Sequence, residues 1–130
     1  MPNDIPPQLK QFVEQNIESV SQLEALLMLR REPERQWTSA DIAKALYIPN
    51  EIASALLVDF ARRGFAVLST GPDANYTYRA RDEDFDRLVG KLDTVYHDRR
   101  VAIISLIYSK PLNKVQTFAD AFRFGKENPK

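Results

Sequence analysis

Reactive chemistry in this chain would have to begin at His97, the single histidine among 130 residues. Asp93 and Asp98 lie close to it in sequence, so a histidine–carboxylate pair can be written down. Such a pair still needs a nucleophile and an oxyanion site, and no motif supplies either. There is no cysteine. A disulfide framework and a cysteine-ligated zinc site are therefore excluded, and one histidine does not complete the common zinc ligand sets. Asp82, Glu83, Asp84 and Asp86 are the other concentrated set of ligand-type side chains. They lack the glycine turn and distal glutamate of a calcium loop. Acids in this arrangement suit a helix start, where they face the positive end of the peptide dipoles. No enzyme activity, metal or cofactor is expected.

The arginines carry the remaining chemistry. Arg62 and Arg63 stand just before Gly64, and Arg79 and Arg81 follow the alternating Tyr76 and Tyr78. Arg62 and Arg63 can meet phosphate, or they can complement the negative C-terminal end of a helix. Arg79 and Arg81 can meet phosphate, or they can belong to a solvated hairpin. Both readings stay open for each pair.

The elements that would hold these residues follow from periodicity. Leu9, Phe12, Val13 and Ile17 predict a first helix starting near Gln8. Leu23, Leu26, Leu27 and Arg30, with Ala25 and Met28, predict a second that stops before Pro33. Thr38-Ser-Ala-Asp41 matches a capping box, and Ile42, Ala43, Ala45 and Leu46 make a short helix after it. Tyr47-Ile-Pro49 is a turn. Ile52, Ala55, Leu56, Val58 and Phe60, with Leu57, supply apolar residues for the next helix, and Gly64 fits its C-cap. Phe65–Ser69 and Tyr76–Ala80 read as a hairpin joined by Gly71-Pro-Asp-Ala-Asn. Trp37 reads as core.

Beyond the hairpin, Asp82 opens a long helix with Phe85, Leu88, Leu92, Val95, Arg99, Ala102 and Leu106 along one seam. Lys110-Pro111 breaks it. Leu112, Val115, Phe118, Ala119 and Phe122 predict a last amphipathic helix ended by Gly125. The fold class is thus mainly α with a small β-hairpin. Three segments are expected: a lead-in and helix at 1–20, a central unit at 21–81 and a helical extension at 82–130.

Formal net charge is zero, which argues against a strongly phosphate-binding surface. The charge is uneven. Acids dominate from Asp82 to Asp98 and bases from Arg99 to Lys130. These segments are either two solvated faces or a pair that meets across a dimer. A hydrophobic share of 44% supports a real core. Met1–Pro7 shows no signal-peptide pattern, and the apolar run Val101–Tyr108 is too short to span a bilayer, so a cytoplasmic protein without a membrane role is expected. That run is either intramolecular core or an oligomer interface.

The order helix, helix, helix, hairpin over Ser21–Ala80 resembles the winged helix-turn-helix superfamily, in the style of the small MarR-like bacterial transcriptional regulators. The likeness rests on the Thr38–Leu46 helix, the Ile48-Pro49 turn, the Ala61-Arg-Arg-Gly-Phe65 helix end and the wing. It implies a winged helix-turn-helix with N- and C-terminal helical extensions, acting as a homodimeric transcriptional regulator on double-stranded DNA. In that superfamily the third helix enters the major groove and the wing rests on the backbone or minor groove. The resemblance places Asn50, Glu51 and Ser54 toward bases and Arg62, Arg63, Arg79 and Arg81 nearer phosphates. It makes the last helices a dimerisation element, with Leu92, Val95, Ile103, Leu106 and Ile107 as interface positions. No Lys or Arg lies between Lys44 and Arg62, which departs from the superfamily's usual basic first turns. The alternative is a winged-helix protein-interaction module that does not bind DNA and whose C-terminal tail meets a protein partner.

Overall fold

The computed structural model of the chain describes residues 5–69 and 75–109. Its elements are α1 (Pro7–Asn16), α2 (Val20–Arg31), α3 (Ser39–Leu46), α4 (Asn50–Arg63), β1 (Ala66–Ser69), β2 (Asn75–Tyr78), α5 (Glu83–Asp98) and α6 (Arg100–Tyr108). Of the expected wing tip, Gly71-Pro-Asp-Ala-Asn75, only Asn75 is described, as the start of β2, and the expected last helix and the rest of the basic tail from 110 onward lie outside the described residues.

Side chains at the helix starts set the boundaries. Ser19 accepts from the Gln22 amide ahead of α2, and Asp82 accepts from the Phe85 amide ahead of α5. Thr38 and Asp41 exchange both bonds of a capping box at α3. Each satisfies amides that the first helical turn leaves without partners. At the other end of α4, Gly64 takes φ 89°. A Cβ there would also stand 2.8 Å from the Arg81 Cβ, so both backbone and space require glycine.

The wing is one antiparallel pair, with Ala66 opposite Tyr78 and Ser69 opposite Asn75. Trp37 exchanges backbone hydrogen bonds with Tyr76, which adds a short third rung and ties the segment before α3 to the hairpin. Trp37 itself is buried, as core.

One cluster of buried side chains joins all the elements. At its centre, Phe65 stacks on Phe85 with ring centroids 4.7 Å apart and meets the edges of Phe12 and Phe60. The described parts of the expected three segments therefore share one core.

The long C-terminal helix is not continuous. The backbone leaves helical geometry at Arg99, with φ −134° and ψ 54°, between α5 and α6. The buried row is Phe85, Val89, Leu92, Tyr96, Ile103 and Ile107 rather than the expected seam through Leu88, Val95, Arg99, Ala102 and Leu106. Continuing the row would bring charged Arg99 into the core. The break avoids this and lets α6 pack on both α1 and α5.

The acidic segment is paired within the chain, with α2. Asp86 accepts from Arg30 and Asp93 from Arg31, while Glu24 accepts from the Tyr96 hydroxyl and from Arg100. Two of the acids expected to be solvated or to meet the basic tail thus dock α5 on α2. Hydrogen bonds from the Tyr78 hydroxyl and then Arg30 hold the Asp86 carboxyl below its ordinary value of 3.8. A carboxyl lowered by folding contributes stability above its unfolded value, and that contribution disappears as pH falls through its folded value. Asp86→Asn is accordingly expected to flatten the loss of stability as pH is lowered from about 5 to about 3, which urea melts at stepped pH would read.

Candidate nucleic-acid interface

α3 ends at Tyr47, whose φ of 57° puts a non-glycine residue in the left-handed region. The Ile48 amide returns to the Ala43 carbonyl, and Pro49 then leads into α4. Tyr47 is 95% exposed. A bulky residue in this conformation is unfavourable by roughly 1 kcal/mol or more, and no burial of the ring offsets that cost.

α4 presents two faces. Ala53, Leu57 and Phe60 are buried, while Glu51, Ile52, Ala55, Val58 and Arg62 point outward. The sequence alone names the apolar residues of this helix without dividing them between the faces. Of the apolar residues that the sequence supplies to this helix, Phe60 and Leu57 are buried, whereas Ile52 is 49% and Val58 51% exposed. Both sets of positions fit helical spacing, so periodicity alone does not choose between them. Asn50 and Glu51 are exposed in the first turn, and Ser54 is half-buried.

The four arginines divide into two kinds. Arg63 is bound by Asp59 and donates to the Asn16 carbonyl at the end of α1, so it anchors α4 rather than facing outward. Arg81 lies over the Phe85 ring at 3.8 Å and fills the space beside Gly64. Arg63 is thus held within the fold, whereas Arg81, though laid on Phe85, keeps its side chain 59% exposed. Arg62 also pairs with Asp59, but its side chain remains 77% exposed. Burial raises the Asp59 carboxyl, and hydrogen bonds from Arg62 and Arg63 outweigh it and hold the group below its ordinary value. Arg79 is exposed just beyond β2, its amide donating to the Phe65 carbonyl. Lys44 is exposed on α3, which packs directly against α4.

The expected dimer positions fare differently. Leu92, Ile103 and Ile107 are buried inside the single chain, and Val95 and Leu106 are partly buried against the same core. Leu92, Ile103 and Ile107 belong to the buried row of α5 and α6, which pack on α1 and α2, while Val95 and Leu106 lie beside that row. α6 exposes Val101 and Tyr108 instead.

A separate cleft of about 390 Å³ is lined by Glu24, Leu27, Met28, Arg31, Leu46, Tyr96, His97 and Arg100. His97 is exposed at its edge. Among the described residues no three His, Asp or Glu side chains gather as a metal set. No helix among them is long and apolar enough to cross a membrane.

No family model matches the sequence, and no curated protein matches it. Solved structures do match by shape. MepR, a transcription regulator of the Staphylococcus aureus multidrug efflux pump MepA, aligns at a TM-score of 0.54 with 18% identity, over 91% of this chain and 87% of that one. A single-residue mutant of MepR bound to an oligodeoxyribonucleotide aligns at 0.54 with 17% identity, over 91% of this chain and 86% of that one. The adhesin competence repressor AdcR of Streptococcus pyogenes aligns at 0.50 with 18% identity, over 87% and 86%. The chain has the winged-helix fold of the MarR-like regulators.

Proposed function

We propose that this protein is a DNA-binding transcriptional regulator that lays α4 in the major groove of a duplex. The observation that carries the reading is the outward face of α4, left uncovered from Glu51 to Arg62 beside a two-stranded wing. The likeness to a MepR mutant solved with an oligodeoxyribonucleotide supports it. In this mechanism Asn50, Glu51 and Ser54 approach base edges. Arg62, Arg79 and Lys44 approach phosphates, which position the protein without reading sequence. Arg63 and Arg81 hold α4 and the wing in place. A homodimer would present two α4 helices to half-sites about one helical turn apart. The exposed Val101 and Tyr108 on α6 are its proposed contact, in place of the buried Leu92, Ile103 and Ile107.

Selection from a random duplex pool tests specificity. Enrichment of a two-part site with half-sites about 10 base pairs apart is expected. Recovery of an unenriched pool would count against sequence-specific regulation.

Tyr47 gives a second test. Tyr47→Gly relieves the left-handed backbone and is expected to raise unfolding free energy by up to about 1 kcal/mol. If the exposed ring meets DNA, the same variant binds duplex several-fold more weakly. Gain of stability with loss of binding is the expected combination, read by urea melts and anisotropy.

A second reading is a protein-interaction module. It is favoured by the absence of Lys and Arg between Lys44 and Arg62 and by exposed Glu51. It requires that duplex DNA not bind at all.

A further inference from the structure

Ile52, Ala55 and Val58 recur every three residues along the outward face of α4, forming an apolar stripe over two turns. Folding does not call for them there. Ile52 and Val58 are β-branched, which lowers helix propensity, and each keeps about half its surface in water. Scattered exposed apolar residues need no explanation, but an aligned set on the helix that faces a ligand does.

The chemistry around the stripe selects among base pairs. In the major groove, thymine offers a C5 methyl and adenine an N6 amine beside N7. Guanine offers only acceptors, which a cation reads best. α4 carries no cation from Asn50 through Ala61. Its first turn instead offers the Asn50 amide, which can pair with adenine N6 and N7, and the Glu51 carboxylate, which accepts from the exocyclic amine of adenine or cytosine. The exposed cations stand off the stripe, with Lys44 on α3, Arg62 at the end of α4 and Arg79 and Arg81 beyond β2. Of the four bases only thymine carries a methyl, so the apolar stripe rather than the acceptors selects A·T pairs, while the cations at the margins face the phosphate rim.

We propose that Ile52, Ala55 and Val58 read thymine methyl groups, making A·T-rich duplex the ligand of this face. The inference rests on the DNA-binding reading and narrows it to one base chemistry.

The test compares a single A·T-rich duplex made with thymidine or with deoxyuridine, which differ only in the C5 methyl. Anisotropy at low salt is measured for the full chain and for the double variant Ile52→Ser, Val58→Ser. The wild-type protein is expected to bind the deoxyuridine duplex about tenfold more weakly, since two or three methyls leave apolar contact. The double variant is expected to bind both duplexes alike, with a circular-dichroism melt confirming that it folds. Equal wild-type affinity for the two duplexes would overturn the methyl reading while leaving DNA binding intact. Binding to neither duplex would overturn the DNA-binding reading itself and leave the stripe as a surface for protein.

Discussion

Phe65→Ala is expected to lower the unfolding free energy by about 3–5 kcal/mol. Phe65 is fully buried where α4 passes into β1. Its ring stacks on Phe85 of α5 and takes the edges of Phe12 of α1 and Phe60 of α4. Removing the ring leaves a cavity bordered by three aromatic side chains from separate helices, which cannot all collapse into it. Its backbone also joins the wing to the helices, since its amide donates to the Phe60 carbonyl and its carbonyl accepts from Arg79. Domains of this size are held by about 5–15 kcal/mol, so the variant would keep little cooperative stability. Urea unfolding followed by the fluorescence of Trp37, the single tryptophan, reads the effect directly. A loss below about 1 kcal/mol would show that Phe65 is not the keystone of the core.

Glu51→Lys is expected to tighten duplex binding about tenfold at low salt. Glu51 is exposed in the first turn of α4. As a carboxylate it repels phosphate, and as a lysine it would neutralise one. The salt dependence should steepen by about one further released counterion. If the outward face of α4 meets bases, specificity should also move from amine-bearing bases toward guanine, whose O6 and N7 accept from lysine. The substitution breaks no side-chain bond but reverses the charge at the positive end of the α4 dipole, so stability should fall by about 0.5–2 kcal/mol. Unchanged binding would mean that this turn does not face DNA.

Much of the fold was legible because local chemistry and global packing agree. Thr38 with Asp41, Asp82 with Phe85, and Gly64 each marked a boundary through a backbone group that needs a partner or a conformation that needs glycine. The hairpin and the core position of Trp37 followed from alternation and from residue type. The face of α4 was not legible, because 52, 55 and 58 and 53, 57 and 60 both satisfy a helical period. Contact with α2, α3 and β1 decides which set turns inward. The break at Arg99 escaped for a related reason. A charged residue in an apolar seam can be tolerated or can end the helix, and the choice depends on α1 as partner for α6. At the candidate site, the family resemblance placed Asn50 and Glu51 at the exposed start of α4, and both are exposed. It could not reveal that Arg63 reaches the Asn16 carbonyl, because that bond joins residues 47 apart in sequence.

The most direct test of DNA binding is fluorescence anisotropy of a mixed-sequence duplex, titrated with the full chain at low and then moderate salt. Saturable binding that weakens steeply as salt rises is expected, with a slope reflecting a few phosphate contacts. No binding at low salt would contradict the assignment of α4 as a DNA-reading helix.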